Sequence, residues 1–220
     1  YGVMAISFSM DKAGPMCRSV EDCALVFDVI EGPDDRDLAV VDLPFNWDSN
    51  RDIRQLRVGY IKSAFEADQA SAKGKANGLA TLEKLRALGL DLIPVEFPDY
   101  PVDVHRILLY AEATAAFDEL NRSGRDKLLK RPNWAQRFRM ARTIPAVEYI
   151  QADRHRFLLM KEMDELFSQV DIVVVPPSEP GTPTGSPLGR NTPLTNLTGH
   201  PCVVVPNGFV EDGTPSSMTF

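Results

Sequence analysis

The sequence has 220 residues, 44% hydrophobic and 25% charged, which is ordinary globular usage and argues against a coiled-coil, collagen-like or disordered chain. Its formal charge of −7 gives no support to a nucleic-acid or anionic-membrane binder. No apolar run is long enough to span a bilayer, and the opening stretch does not read as a signal segment; position 1 is Tyr rather than Met, so targeting information can precede it.

Residues 1–18 read as a loop or edge segment leading to a helix over about 19–31. Ser19 is its cap, and Asp22 stands where a capping-box acid belongs. Val20, Cys23, Ala24, Phe27 and Ile30 recur on one face, and Gly32 can take the left-handed stop. Residues 38–55 are polar and read as a surface excursion. Leu56 to Ile61 predicts a strand, Gln69 to Leu88 a helix with Ala76, Leu79, Leu82, Leu85 and Leu88 inward, and Leu90 to Phe97 a second strand. Strand, helix and strand in that order make a crossover unit, the mark of an α/β fold.

Val102 to Leu120 predicts one long helix and Trp134 to Ala141 a short one. Thr143 and Pro145 open a helix reaching Gln169, with Ile150, Phe157, Met160, Met163 and Phe167 on its inner face. Asp171 to Val175 and Cys202 to Val205 read as buried strands, the two leading side by side into Pro176 and Pro206. Between them, residues 176–200 are so dense in Pro and Gly that no regular element is expected; a loop this long leaving a buried strand is more often functional than decorative. Thr219 and Phe220 carry the signal of a strand beginning.

The three histidines, His105, His155 and His200, are far apart and show no zinc spacing, so no metal is expected. There is no Gly-x-Ser-x-Gly elbow and no phosphate-binding glycine loop, so no nucleotide cofactor is expected. Cys17, Cys23 and Cys202 are too few, and odd in number, for a disulfide scaffold; reduced thiols in a cytoplasmic setting fit better. Residues 122–142 hold eight basic side chains and one acid. That run is either a docking surface for an acidic partner or RNA, or a solvated face of an acidic molecule. Tyr149 and Asp153 form a polar pair beside an apolar strip. Thr192, Thr195, Asn196, Thr198 and His200 crowd around Gly199 and Pro201, where they cap local backbone or present donors to a ligand.

One segment is far more specific. Ser9-Met-Asp-Lys-Ala-Gly-Pro-Met-Cys-Arg-Ser-Val-Glu-Asp-Cys-Ala24 resembles the amidase signature family at Ser9, Asp11, Gly14, Pro15, Met16, Arg18, Ser19, Val20, Asp22 and Ala24. Tyr1-Gly2-Val3, Glu148 to Ala152 with Arg156, Asp171 to Pro176, Asn196-Leu-Thr-Gly-His-Pro201, and Pro206-x-Gly-Phe209 with Asp212-Gly-x-Pro215 extend the likeness over nearly the whole chain. The resemblance implies part of a single α/β/α domain with a mixed central β-sheet covered by helices. Residues 1–220 would be its C-terminal portion, cut at both ends.

It further implies hydrolysis of a carboxamide through a Ser nucleophile, a bridging Ser in a cis linkage and a Lys, with backbone donors stabilising the oxyanion. In the family order those residues precede Tyr1. Ser216-Ser217 lies in the wrong context, and Lys12 belongs to the Gly-Pro-Met segment. No catalytic residue is therefore assigned, and the chain alone is expected to be inactive. Tyr149, Asp153, Thr192, Thr195 and Asn196 are the expected pocket wall; Asp11, Gly14, Pro15, Arg18, Ser19, Asp22, Gly199 and Pro201 are the structural residues of the motifs. The expected partners are a small-molecule amide, the upstream portion of the same protein and, as an open alternative, a second copy in a homodimer. The family's tRNA amidotransferase A subunits, which work with partner subunits and tRNA, place an acid shortly before the position of Thr192. Here Leu188-Gly-Arg-Asn191 stands there, which favours a general amidase. A non-catalytic scaffold that kept the fold is the third reading.

Overall fold

Short runs of β-branched residues set the centre of the molecule. In the computed structural model, which describes residues 2–36, 40–69, 71–178 and 182–220, β1 (Val58–Ile61), β2 (Leu92–Val95) and β3 (Ile172–Val174) form a parallel sheet in the order β2-β1-β3. Val58 is in register with Leu92 on one side and Ile172 on the other. A hairpin of β4 (Val204–Phe209) and β5 (Pro215–Thr219) is antiparallel, with a bulge between Pro206 and Gly208. An antiparallel bridge between Val175 and Thr219 joins the two pieces. The result is an α/β arrangement with a mixed central sheet flanked by helices, as expected.

The helices are α1 (Val20–Ile30), α2 (Lys62–Glu66), α3 (Ala72–Ala87), α4 (His105–Ala116), α5 (Asp118–Arg122), α6 (Pro132–Ala141), α7 (Ala146–Phe167) and α8 (Asn191–Thr198). The chain divides into two compact units. One comprises residues 1–4 and 12–53 and carries α1; the other comprises residues 5–11 and 54–220 and carries the sheet.

In the larger unit the alternation of β3 distributes its side chains to two layers. Val174 packs with Leu82 of α3 and with Met218, while Val173 and Val175 pack with Leu166 of α7 and with Val170. A further cluster joins Leu108 of α4, Leu159 and Met163 of α7, and Leu194 and Leu197 of α8 with Met10. Asp171 clamps the starts of β1 and β3: its carboxylate accepts from the Arg57 backbone N–H and guanidinium, both at 2.7 Å.

Several sequence expectations shift. The long helix expected over 102–120 is divided: a 3-10 turn covers Val102–Val104, α4 ends at Ala116, and α5 restarts at Asp118. The buried stripe of α7 runs through Tyr149, Ala152, Arg156, Leu159 and Met163. Ile150, Phe157 and Met160 are exposed. The apolar stripe read from sequence is therefore displaced by one position, about 100°, at Ile150, Phe157 and Met160, while Met163 and Phe167 face inward as expected. On α3 the inner face centres on Gly78 and Leu82, with Leu79 and Leu88 exposed. Its polar side chains serve the hairpin: Asn77 Nδ2 donates to Phe209 O at 3.0 Å and Ser216 Oγ at 2.8 Å.

The stretch 176–200 is not wholly irregular, because α8 occupies 191–198. Pro193 sits in its first turn, where a missing N–H is tolerated, and Gly199 ends it with φ 80°. Pro180 and Gly181 of the same stretch, residues 38 and 39 of the expected excursion, and residue 70 lie outside the described residues. The 202–205 segment is not buried: Val203 and Val204 are exposed, and β4 begins only at Val204. Nor do the strands at Pro176 and Pro206 lie side by side. β5 stands between them, bridged to Val175 on one side and paired with β4 on the other.

Candidate functional site

Two constellations stand out in the larger unit. The first is polar and centres on Glu112 of α4, which is 4% exposed. Its carboxylate accepts from Ser7 Oγ at 2.5 Å, Ser9 N at 3.2 Å, Ser9 Oγ at 2.6 Å and Tyr149 OH at 3.2 Å. Arg156 of α7 completes the group, its guanidinium donating to Ser9 Oγ at 2.9 Å and Ser9 O at 3.3 Å. Asp153 pairs with Arg156 at 3.6 Å. A buried carboxylate that accepts several bonds is worth much more in place than removed, because each orphaned donor costs free energy.

Asp11 fixes the approach of this segment. Its Oδ2 accepts from Ile6 N at 2.6 Å and Ser7 N at 3.1 Å, folding residues 6–11 into a tight turn. Desolvation first, then the charge of Glu112 and the bond to it, hold the Tyr149 phenol above its ordinary value. Tyr149 is therefore a proton donor at neutral pH and not a base. Ser7 is fully buried, so its hydroxyl orients the turn rather than meeting a substrate.

The second constellation is a cavity of about 450 Å³ walled by Phe97, Met163, Phe167, Val173, Val175 and Phe220. Asn191, Thr195 and His200 put polar groups on its border. An apolar hollow with a few convergent polar groups is the usual form of a small-molecule site. The geometry of His200 is defined: its ring stacks on Phe167 with centroids 4.8 Å apart and a 19° tilt. Its Nδ1 lies 2.7 Å from Thr198 Oγ1, which itself donates to Leu194 O at 3.0 Å. A hydroxyl has one proton, so with Thr198 Oγ1 donating to Leu194 O it is the acceptor side of Oγ1 that meets the His200 ring. Thr195 Oγ1 donates to Asn191 O at 2.9 Å.

The wall residues expected from the sequence are thus distributed between the two places. Tyr149 and Asp153 belong to the Glu112 group, Thr195 lines the cavity, Thr192 is exposed on α8, and Asn196 is half-buried there. Among the motif residues, Ser19 Oγ accepts from Asp22 N at 3.0 Å and caps α1, Pro15 O accepts from Cys23 Sγ at 3.8 Å, and Gly199 stops α8. Pro201 borders the cavity, while Gly14 and Arg18 are exposed. Ser216, of the Ser-Ser pair, donates to Asn207 Oδ1 at 2.7 Å and accepts from Asn77, a bracing role in the hairpin.

Sequence reading missed Ser7 and Glu112 as members of a buried polar group. A signal existed for Glu112: it stands one helical turn from Leu108, inside an apolar run, where a charge must find partners. Among the described residues no cluster of His, Cys, Asp or Glu suits a metal ion, and no helix is long and apolar enough to cross a membrane.

The basic run 122–142 also resolves into local structure. Arg139 reaches the buried Asp126 through Nε at 3.0 Å and Nη2 at 2.7 Å. Arg122 and Arg142 converge on Asp118, Arg125 pairs with Glu119, and Arg137 lies over the rings of Trp134 and Tyr110. Most of those cations are spent inside the α5–α6 region, which favours the solvated-face reading over a docking surface.

Comparison with known proteins bears on the family of the chain. Residues 1–220 match the amidase family model. The A subunit of the glutamyl-tRNA(Gln) amidotransferase of Roseiflexus castenholzii is 30% identical over 255 aligned positions, covering 99% of this chain and 51% of the relative. An amidase of Pseudomonas putida is 27% identical, over 98% of this chain and 50% of the relative. The chain spans about half the length of the curated relatives it matches. Among solved structures, a bacterial aryl acylamidase of the amidase signature family superposes with TM-score 0.77 at 20% identity, over 94% of this chain and 48% of that one. The A subunit of the Thermotoga maritima glutamyl-tRNA(Gln) amidotransferase superposes with TM-score 0.75 at 22% identity, over the whole of this chain and 50% of that one. By a family match along its full length and a shared fold, the chain belongs to the amidase family.

Proposed function

We propose that residues 1–220 are the C-terminal portion of one amidase signature domain whose complete protein breaks the C–N bond of a carboxamide as the A subunit of a glutamyl-tRNA(Gln) amidotransferase. The observation that carries this reading is the recurrence of such subunits in the curated relatives, from organisms as distant as Roseiflexus castenholzii and Saccharolobus solfataricus, with at least 96% of this chain aligned. In this reading the reactive Ser, the bridging Ser and the Lys come from the part of the relatives' length that this chain does not match. This chain supplies a wall, with Thr195 and His200 at the cavity and Tyr149 and Asp153 at the Glu112 group. The amidotransferase reading brings companion subunits and a charged tRNA as partners.

A general amidase is the second reading, and one observation favours it. The position two before Thr192 is Arg190, whose guanidinium is turned to Pro98 O and to Asp99 at 3.2 Å. A cation there does not grip the ammonium of glutamine. The complete protein decides between the two when assayed with glutamine, and separately with simple aliphatic and aryl amides, in the presence and absence of companion subunits and Glu-tRNA(Gln). Glutamine-dependent formation of Gln-tRNA(Gln) is the expected result. Ammonia release from simple amides alone, unchanged by tRNA and partners, selects the general amidase. No ammonia release from any amide by the complete, folded protein refutes both.

A further inference from the structure

The cavity beside α8 contains a polar group that the rest of the chain leaves unused. Asn191 opens α8, is 8% exposed and forms part of the cavity wall. Its backbone carbonyl accepts from Thr195 Oγ1 at 2.9 Å, but its side-chain carboxamide has no hydrogen-bond partner among the described residues. The neighbouring polar groups are occupied. The Thr195 proton goes to Asn191 O, and the His200 ring is held between Phe167 and Thr198 Oγ1. Burying an amide with its donor and acceptor unpaired costs free energy, so such a group in a native fold calls for a partner.

The rest of the wall defines what that partner can be. Phe97, Phe167 and Phe220 contribute aromatic rings, and Met163 and Val175 contribute further apolar surface. The carboxylate of the wall, Asp171, is turned to the backbone and guanidinium of Arg57. Among the described residues no Lys or Arg lines the cavity, so an anion would enter without a counter-charge and a neutral molecule is favoured. The volume of about 450 Å³ exceeds the ~150 Å³ hollow that takes up one benzene ring, which leaves room for a fused pair of rings. A carboxamide offers an N–H donor beside a carbonyl acceptor. Its complement is a planar edge with an acceptor beside a donor, the geometry by which Asn grips the edge of a base.

We propose that this cavity is a binding site for a neutral, flat, fused heteroaromatic ring carrying an N–H next to a carbonyl oxygen, with the Asn191 carboxamide as its two-point anchor. The inference goes beyond the reading above, because it concerns binding and not C–N cleavage. Glutamine is not this ligand, since its ammonium and carboxylate would find no counter-charge in the wall.

Carbostyril, a neutral bicyclic lactam, is the probe, and N-methylcarbostyril keeps the ring and the carbonyl while losing the N–H. In calorimetric titration of the complete protein, carbostyril is expected to bind about tenfold or more tightly than the methylated ring. Asn191→Leu should bring carbostyril down to the level of its methylated analogue. The same substitution should leave the melting temperature unchanged or raised, because the carboxamide holds nothing within the chain. Cys202 borders the cavity and is exposed, so bound carbostyril should slow its alkylation by N-ethylmaleimide, while exposed Cys17, in the smaller unit, reacts as before. Absence of binding, equal affinity for the two rings, or binding without protection of Cys202 overturns the proposal. So does an Asn191→Leu protein that binds like the parent, or one that melts at a lower temperature, which would make the carboxamide a structural group. Ammonia release from amides is measured separately, so a protein that fails these tests and still cleaves an amide loses this site and keeps the amidase reading.

Discussion

Glu112 shows how much can depend on one side chain. Four donors from two distant parts of the chain meet on its carboxylate, and Ser7 is fully buried against it. Glu112→Ala leaves those donors without an acceptor in a place water cannot easily reach. A loss of about 3 kcal/mol of stability is expected, read as a lower denaturation midpoint in urea. Glu112→Gln keeps an acceptor and the shape, and should lose less. Equal loss for the two variants would mean that the charge, not the acceptor geometry, holds the turn. His105 makes a pH prediction. Desolvation lowers its pKa below 6.5, against the opposing bond from Nδ1–H to Val102 O at 2.7 Å. Above 6.5 both folded and unfolded forms carry it neutral. As pH falls below 6.5 the unfolded chain takes up the proton first, so stability drops until the folded pKa is reached and then levels off. Melting temperature followed from pH 7.5 to 5 should fall less steeply for His105→Gln than for the parent; identical slopes would remove His105 as the cause.

At the scale of elements, close approach and caps decide what the sequence tolerates. Gly59 lies in the central strand β1, where a Cβ would come within 3.0 Å of Val95 Cγ2 and 3.1 Å of Val170 Cγ1. Gly59→Ala must push two branched side chains apart on the covered face of the sheet, and about 1–3 kcal/mol of destabilisation is expected by thermal melting. An unchanged midpoint would show that Val95 and Val170 move freely. Ser19→Ala removes the acceptor for Asp22 N and should cost α1 about 1 kcal/mol. Because α1 belongs to the smaller unit, hydrogen exchange of its own amides is the measurement to make. Faster exchange in α1, with α7 unchanged, is the expected pattern.

For the molecule as a whole, the telling feature is apolar surface. On α7, Val147, Ile150 and Phe157 are exposed at 62%, 56% and 69%, and on β4 Val204 and Phe209 at 57% and 58%. Apolar surface of that extent calls for cover, and the curated relatives this chain matches are about twice its length. The 220-residue chain alone is expected to bind a polarity-sensitive dye and to melt broadly. The complete protein should do neither. A sharp, dye-free, monomeric two-state melt of the shorter chain would show that these faces need no cover.

The strand–helix–strand unit, the cap at Ser19 and the family motif were legible in the amino-acid order. All of them depend on neighbours within a few residues, or on a spacing that repeats. What the order left ambiguous was which of two overlapping apolar stripes α7 turns inward, because Ile150 and Phe157 look as hydrophobic as Ala152 and Leu159. It also hid the place of β5 between β3 and β4, and the gathering of Ser7, Ser9, Tyr149 and Arg156 around Glu112. Those choices belong to residues far apart in the chain, whose desolvation is tolerable only once both are in place. Local chemistry determined the pieces, and only the tertiary packing decided which faces meet and which polar groups must find each other.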